Sequence, residues 1–151
     1  MKTSGALILS LALAAPAAAQ EVKAGDLTLS GLQLRSVAPG APTTAGYLTI
    51  ANAGDRADKL VSVSCACAAR VEVHLSHVMD GVAMMMPAGE VEIPAHGSVT
   101  FKPGGYHLMV IGPKAPLKDG AMQDVVLKFQ HAGAVTAAFH VKARIDAAAE
   151  R

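Results

Sequence analysis

Glycine and proline stand at nearly every boundary between the short apolar runs of this chain, and this punctuation limits the folds open to it. Pro94 and Gly97 close one such run, Gly112-Pro113 another and Gly133 a third. Between these breakers apolar and polar residues alternate with a period of two, and no long helical period appears. The pattern predicts an all-β domain made of many short strands.

The alternation places ten strands along the chain. They are predicted at residues 26–34, 47–50, 60–64, 69–75, 82–86, 91–93, 98–102, 106–111, 124–130 and 135–141. Asp80-Gly81, between two of these runs, is a strong signal for a tight hairpin. Only the tail at 147–151 suggests a frayed helix. Short strands with such turns are typical of an antiparallel β-sandwich or a Greek-key barrel.

Residues 1–19 have the pattern of a secretory signal peptide. Lys2 gives the positive start, residues 6–15 are apolar, and Ala17 to Ala19 supply small side chains for cleavage before Gln20. The apolar run is too short to span a bilayer, and an uncleaved N-terminal anchor is the alternative. No cysteine closely follows the cleavage point, which argues against a lipoprotein anchor. We therefore expect an exported protein whose residues 20–151 form a single domain.

Charge gives little reason to expect a polyanionic partner. Once Lys2 is removed with the leader, 12 basic residues balance 12 acidic ones. A neutral chain offers no electrostatic case for binding nucleic acid or an anionic membrane surface. No second apolar segment of membrane length follows, so we expect no membrane insertion of the mature chain.

Two histidines and a methionine occupy the polar faces of predicted strands. In the run from Tyr106 to Val110, alternation puts His107 and Met109 together on one face. His74 takes the corresponding polar position between Val73 and Leu75. An imidazole and a thioether two residues apart on one strand face can converge on a single ion.

A run of three methionines follows the Asp80-Gly81 turn. We expect Met84 and Met86 to pack into the core, so that Met85 projects outward without a packing role. Thioethers bind Cu(I) well and bind Zn, Mg or Ca poorly, so two imidazoles with two thioethers select reduced copper. The sequence contains no carboxylate cluster or His-Glu-x-x-His spacing that would indicate a hard or hydrolytic metal site.

The spacing of these four residues resembles a known signature. His74, ten residues, Met85, twenty-one residues and His107-x-Met109 match the H-x10-M-x21-H-x-M pattern of periplasmic copper chaperones of the PCu(A)C type. The stretches 47–52, 71–74 and 103–109 are also similar to that family, and the similarity extends over the mature chain.

The resemblance implies a cupredoxin-like β-sandwich that carries Cu(I) at a surface-exposed site formed by His74, Met85, His107 and Met109. It implies a non-catalytic role in copper homeostasis in the periplasm and in assembly of cytochrome c oxidase. The expected acceptor is the CuA site of an apo-protein such as oxidase subunit II, and other periplasmic copper chaperones are expected partners. The chain departs from the family at Leu75, where many relatives have Glu, and it lacks the His/Met-rich tail of some members.

Three further histidines are given structural interpretations. His77 is interpreted as a solvated turn residue. The alternative is that it is an auxiliary copper ligand, at a site that could take Cu(II). His131 and His140 have no partner at a telling spacing and are expected at the surface or at sheet edges.

Cys65-Ala66-Cys67 leaves two further functions open. Export favours a tight local disulfide, with two inert thiols as the other structural interpretation. The functional alternatives are a second thiolate site for Cu(I), or a thiol–disulfide oxidoreductase that keeps an oxidase copper site reduced. Blue-copper electron transfer needs a thiolate between the histidine and methionine ligands, and these cysteines precede them instead.

Overall fold

The computed structural model describes residues 20–145. These residues form eleven β-strands, joined by turns and loops, and no helix. The predicted signal peptide and the predicted helical tail lie outside these residues. The strands are β1 (Val22–Ala24), β2 (Leu27–Arg35), β3 (Thr43–Asn52), β4 (Asp58–Cys65), β5 (Ala68–Met79), β6 (Val82–Pro87), β7 (Val91–Ile93), β8 (Ser98–Phe101), β9 (Tyr106–Pro113), β10 (Met122–Phe129) and β11 (Gly133–Lys142).

Seven of these strands close into a barrel. Its order is β2-β11-β10-β4-β5-β9-β3, and a β2–β3 pairing completes the ring. Every neighbouring pair is antiparallel except β11 and β2, which run parallel from His140 opposite Gln33 onward. The predicted all-β fold of the Greek-key or sandwich class is therefore confirmed, with one parallel pair that the local pattern did not indicate.

Alternate residues of the barrel strands point inward and form the core. Phe101, Phe129 and Phe139 are its largest fully buried side chains, packed with Leu and Ile from the surrounding strands. On β9 the inward residues are Leu108 and Val110, which leaves His107 and Met109 on the opposite face. Burial of Leu108 and Val110 fixes His107 and Met109 on the outward-pointing face of the strand, because a slip of one residue would exchange the two sets.

Four short strands lie outside the closed ring, and β6 is the most exposed of them. It pairs only with β5, through a hairpin in which Met79 faces Val82. Asp80 and Gly81 both have positive φ, 51° and 77°. Two central residues with positive φ are the mark of a type I′ turn, as the Asp-Gly pair predicts. No helix within residues 20–145 is long and apolar enough to cross a membrane.

The strands agree with their predicted positions and differ mainly in length. The strand β7 has the predicted bounds, whereas β3 and β5 extend well beyond the runs 47–50 and 69–75. The short strand β1 was not predicted, because its three residues are too few to show a period.

Candidate metal centre

His74 and His107 are cross-strand neighbours on the wall of the barrel. The antiparallel register of β5 and β9 sets His74 opposite His107 and Glu72 opposite Met109. The imidazole centroids are 6.0 Å apart with the ring planes tilted by 41°. Imidazole–metal bonds are about 2 Å long, so rings at this separation are close enough to share one ion.

The register of the β5–β6 hairpin determines which methionine joins them. Met85 lies opposite Ser76, which is two residues from His74 and therefore on the same face. Met84 and Met86 lie opposite His77 and Leu75, on the other face of the hairpin. His74, Met85, His107 and Met109 thus share one face of three adjacent strands.

Three of the four residues line one cavity. Met85, His107 and Met109 contribute to a pocket of about 350 Å³, whose wall also includes Tyr47 and Arg35. His74 does not line this pocket and lies beside it, next to His107. The structure therefore places Met85, His107 and Met109 around one cavity, with His74 next to His107.

His107 is oriented by a backbone carbonyl. Its Nδ1 lies 3.2 Å from the carbonyl oxygen of Gly105, which also accepts a hydrogen bond from the backbone N–H of Ser76. A carbonyl can only accept, so Nδ1 carries the proton and Nε2 keeps a free lone pair. The tight 103–105 turn before β9 thereby sets which nitrogen His107 offers to a metal.

His74 is oriented in the opposite sense by a carboxylate. Its Nε2 donates to Oε2 of Glu72 over 2.9 Å, which leaves Nδ1 as the nitrogen with a lone pair. That Nδ1 is the one buried side-chain nitrogen or oxygen within residues 20–145 that has no hydrogen-bond partner. A buried acceptor without a partner is costly, and a metal ion would satisfy it.

Glu72 belongs to a short chain of charges on the outer face of β5. The hydrogen bond from His74, and after it the one from Arg70, lowers the pKa of Glu72 below its usual range. Arg70 Nε lies 2.8 Å from Oε1 of the same carboxylate. The ionised carboxylate thus fixes the tautomer of His74, as carboxylates commonly do for metal-binding histidines.

The sequence of the chain matches a described protein family. The model of the LpqE-like proteins, described as "Putative lipoprotein LpqE-like", matches residues 27–141, which is most of the chain. The chain belongs to the LpqE-like family. One curated relative, "Putative lipoprotein Lxx21020" of Leifsonia xyli subsp. xyli, is 30% identical over 106 residues. That match covers 70% of this LpqE-like chain and 64% of the relative, so the chain spans a little under two thirds of that protein.

Solved structures with the same fold are PCuAC domains. The copper-bound PCuAC domain from PmoF2 has a TM-score of 0.71 and 25% identity, covering 83% of this chain and 99% of that one. Apo-DR1885 from Deinococcus radiodurans has a TM-score of 0.62 and 31% identity, covering 96% and 98%. Its Cu(I) form has a TM-score of 0.59 and 28% identity, covering 86% and 85%. The resemblance to PCu(A)C-type proteins predicted from the sequence is confirmed.

Burial at the site differs from the sequence prediction. The two histidines were expected to be surface-exposed, but His74 is 9% and His107 is 6% exposed. His74 lies on a central strand, with neighbours on both β6 and β9 that cover it. Met85, at 60% exposed, is the accessible member of the set. The LpqE-like chain therefore has a site that is buried at its imidazoles and open at one thioether.

The core assignment of Met84 and Met86 is wrong. They are 43% and 44% exposed, because β6 lies outside the barrel and neither of its faces meets the core. His77 is likewise not in a turn; it is half-buried within β5, opposite Met84. The surface positions predicted for His131 and His140 are confirmed.

The two cysteines form a disulfide at the turn between β4 and β5. His74 lies six positions after Ala68 along β5, roughly 20 Å of extended strand. The disulfide is therefore remote from the candidate site. In the described part of the chain no three His, Cys, Asp or Glu side chains are grouped to hold a metal.

Glu72 is the residue that sequence reasoning missed. Among the neighbours of His74, the resemblance draws attention only to Leu75, which stands where many relatives have Glu. The signal was present two positions earlier, because Glu72 shares the strand face of His74 under the same period of two.

Proposed function

We propose that this protein is an exported Cu(I)-binding metallochaperone, without catalytic activity, that holds one copper ion through His74, Met85, His107 and Met109. One observation carries the proposal. The registers of β5, β6 and β9 put two imidazoles and two thioethers on one face, and each imidazole has one nitrogen left free by its hydrogen bond.

The donor set favours Cu(I) over the other common biological metals. Thioethers are soft ligands, and two of them beside two neutral imidazoles suit Cu(I) far better than Zn, Mg or Ca. The sulfur of Met109 approaches from the same strand as His107, and that of Met85 approaches from the hairpin. Copper-bound and Cu(I)-bound forms of the related PCuAC structures support the same metal.

The uneven burial of the site suits the transfer of copper to an acceptor protein. The two imidazoles are buried, whereas Met85 is 60% exposed on an edge strand. An acceptor could displace the Met85 thioether first, while His107 and Met109 still hold the ion. A weakly basic thioether on an accessible strand suits such stepwise ligand exchange better than a buried thiolate cage does.

The proposal also includes the compartment in which the protein works and the acceptor of its copper. The predicted leader at 1–19 and the lipoprotein name of the Leifsonia relative support export, and the PCu(A)C resemblance supports the periplasm. We assign the CuA site of cytochrome c oxidase, on apo subunit II, as the acceptor. Exchange of copper with other periplasmic chaperones belongs to the same proposal.

Chelator competition tests the site. We expect His107→Ala and Met109→Ala each to lower the Cu(I) affinity of the first equivalent at least about tenfold against a chromophoric Cu(I) chelator. Met122→Ala, which removes an exposed thioether on β10 far along the sheet from β9, is the matched control and should not change it. Unchanged affinity in both site variants would refute the assignment.

Electron transfer at a blue-copper centre is not supported. Such a centre requires a cysteine thiolate on the metal, and both cysteines of this chain are joined in the disulfide at the far end of β5. Addition of Cu(II) should therefore give no intense blue thiolate absorption.

A further inference from the structure

The β5–β6 hairpin exposes an unusual number of large apolar side chains. Eight such residues are exposed within the described residues, and six of them lie on this hairpin: Val78, Met79, Val82, Met84, Met85 and Met86. Isolated exposed apolar residues are common, but a contiguous group of them indicates a functional surface. The site proposed above uses only Met85.

The other face of the hairpin carries one imidazole and three thioethers. His77 lies directly opposite Met84, Met79 follows His77 by two residues, and Met86 follows Met84 by two residues. The period of two therefore puts His77, Met79, Met84 and Met86 together, on the side away from Met85. We call these four residues the hairpin Met face.

The spacing of the hairpin Met face suits chelation. Side chains directly opposite one another in an antiparallel pair have Cβ atoms about 4.5–5.5 Å apart, and diagonal neighbours are about 7–8 Å apart and within reach of long side chains. His77 and Met84 can therefore bind one ion directly, with Met79 and Met86 on either side. The three thioethers are flexible and 43–55% exposed, so they can turn toward an ion without disturbing the core.

We propose that the hairpin Met face binds a second Cu(I) ion, independent of the first. Cu(I) is the metal that imidazole and thioether donors select, and the face offers no carboxylate that would favour a hard cation. His77 adds a nitrogen donor directly opposite the Met84 thioether, which a surface that docks a protein through apolar contacts alone does not require. The second site is weaker than the first, because its ligands are exposed and less preorganised.

Anaerobic Cu(I) titration with a chromophoric competitor tests the second site. The wild type should bind two equivalents with distinct affinities. The triple variant Met79→Leu/Met84→Leu/Met86→Leu keeps the apolar surface but removes the sulfur atoms, and it should bind only the tighter equivalent. Met122→Leu, at an exposed thioether on another strand, should retain both equivalents. His77→Gln should weaken the second equivalent alone.

A variant that lacks the first site tests the second site separately from the proposed function. In His107→Ala/Met109→Ala the tight equivalent should disappear while the weaker one remains, and the triple leucine change on top should remove copper binding altogether. A wild type that binds a single equivalent would overturn the second site. So would a triple variant that still binds two, even if its self-association or protein binding changed, because the face would then be a docking surface.

Discussion

The carboxylate of Glu72 accepts a hydrogen bond from His74 Nε2 at 2.9 Å, on the outer face of the same strand. The carboxylate is in turn held by Arg70. This arrangement leaves the buried Nδ1 of His74 as the free donor atom, without any other partner among residues 20–145. The orientation of one proposed copper ligand therefore depends on a residue that does not itself lie in the ligand set.

Removal of that carboxylate should weaken copper binding. Glu72→Ala frees the His74 ring to rotate and to change tautomer, and partners of this kind are typically worth 10–100-fold in metal affinity. We expect a loss of about tenfold or more in Cu(I) affinity for the first equivalent, measured by chelator competition. Glu72→Gln keeps an acceptor oxygen, so its Cu(I) affinity should lie between those of the wild type and Glu72→Ala. Glu92→Ala removes an exposed carboxylate on β7 and is the control; equal affinities for both alanine variants would contradict the role of Glu72.

The choice among three consecutive methionines can be tested by exchanging each for leucine. Met85 shares the face of His74, whereas Met84 and Met86 point to the other side of the hairpin. Met85→Leu should therefore lower the affinity of the first Cu(I) equivalent at least about tenfold. Met84→Leu and Met86→Leu should leave that equivalent unchanged. The reverse ranking would mean that the β5–β6 register is shifted by one residue.

The sequence predicts the strands well because alternation is a local property. The run from Tyr106 to Val110 shows its buried and polar faces without any knowledge of the neighbours, and β9 has those faces in the structure. Strand pairing is not local. That His74 stands opposite His107 follows from which strands meet on the barrel wall and in which register, and neither can be derived from period two alone.

The same reason explains the errors at Met84 and Met86. Alternation assigns them a common face but does not say whether that face meets a core. Because β6 is an added strand paired only with β5, both of its faces are open. Glu72, by contrast, was within reach of sequence reasoning, since its face and its distance from His74 are both local.

The disulfide should matter for stability and not for copper. Cys65→Ser/Cys67→Ser opens a very small loop, for which the chain-entropy model gives a loss of about 1–2 kcal/mol in the free energy of unfolding. Denaturant unfolding measures this loss. The Cu(I) affinity should match that of the wild type, because the disulfide lies at the other end of β5 from the site. A variant that keeps copper binding but no longer reduces an oxidised acceptor domain would instead favour the thiol–disulfide oxidoreductase function.

The lowered pKa of Asp58 makes the stability of the fold depend on pH in the acid range. Burial alone would raise the pKa of this carboxyl, but backbone N–H groups of His131, Ala132 and Lys59 donate to it and hold the pKa below its usual value. Because the pKa is lower in the folded than in the unfolded chain, ionised Asp58 stabilises the fold at neutral pH. This contribution disappears as the pH falls below about 4 and through the folded-state pKa.

Asp58→Asn should therefore destabilise the protein by about 1–3 kcal/mol at pH 7, since Asn cannot accept at both oxygens. The difference from the wild type should shrink as the pH is lowered toward 3, as measured by thermal or denaturant unfolding. Asp124→Asn, at an exposed carboxylate on β10, should behave like the wild type throughout. A difference for Asp58→Asn that is constant with pH would contradict the assigned role of its charge.

The most direct test of the four-residue site is methionine-methyl and histidine-ring NMR during addition of one equivalent of Cu(I). We predict that the first equivalent shifts the methyl signals of Met85 and Met109 and the ring signals of His74 and His107. Met122 should not shift, and Met79, Met84 and Met86 should respond only to the second. Unmoved Met85 and Met109 signals, or a first equivalent that shifts Met84 or Met86 instead, would contradict the four-residue site.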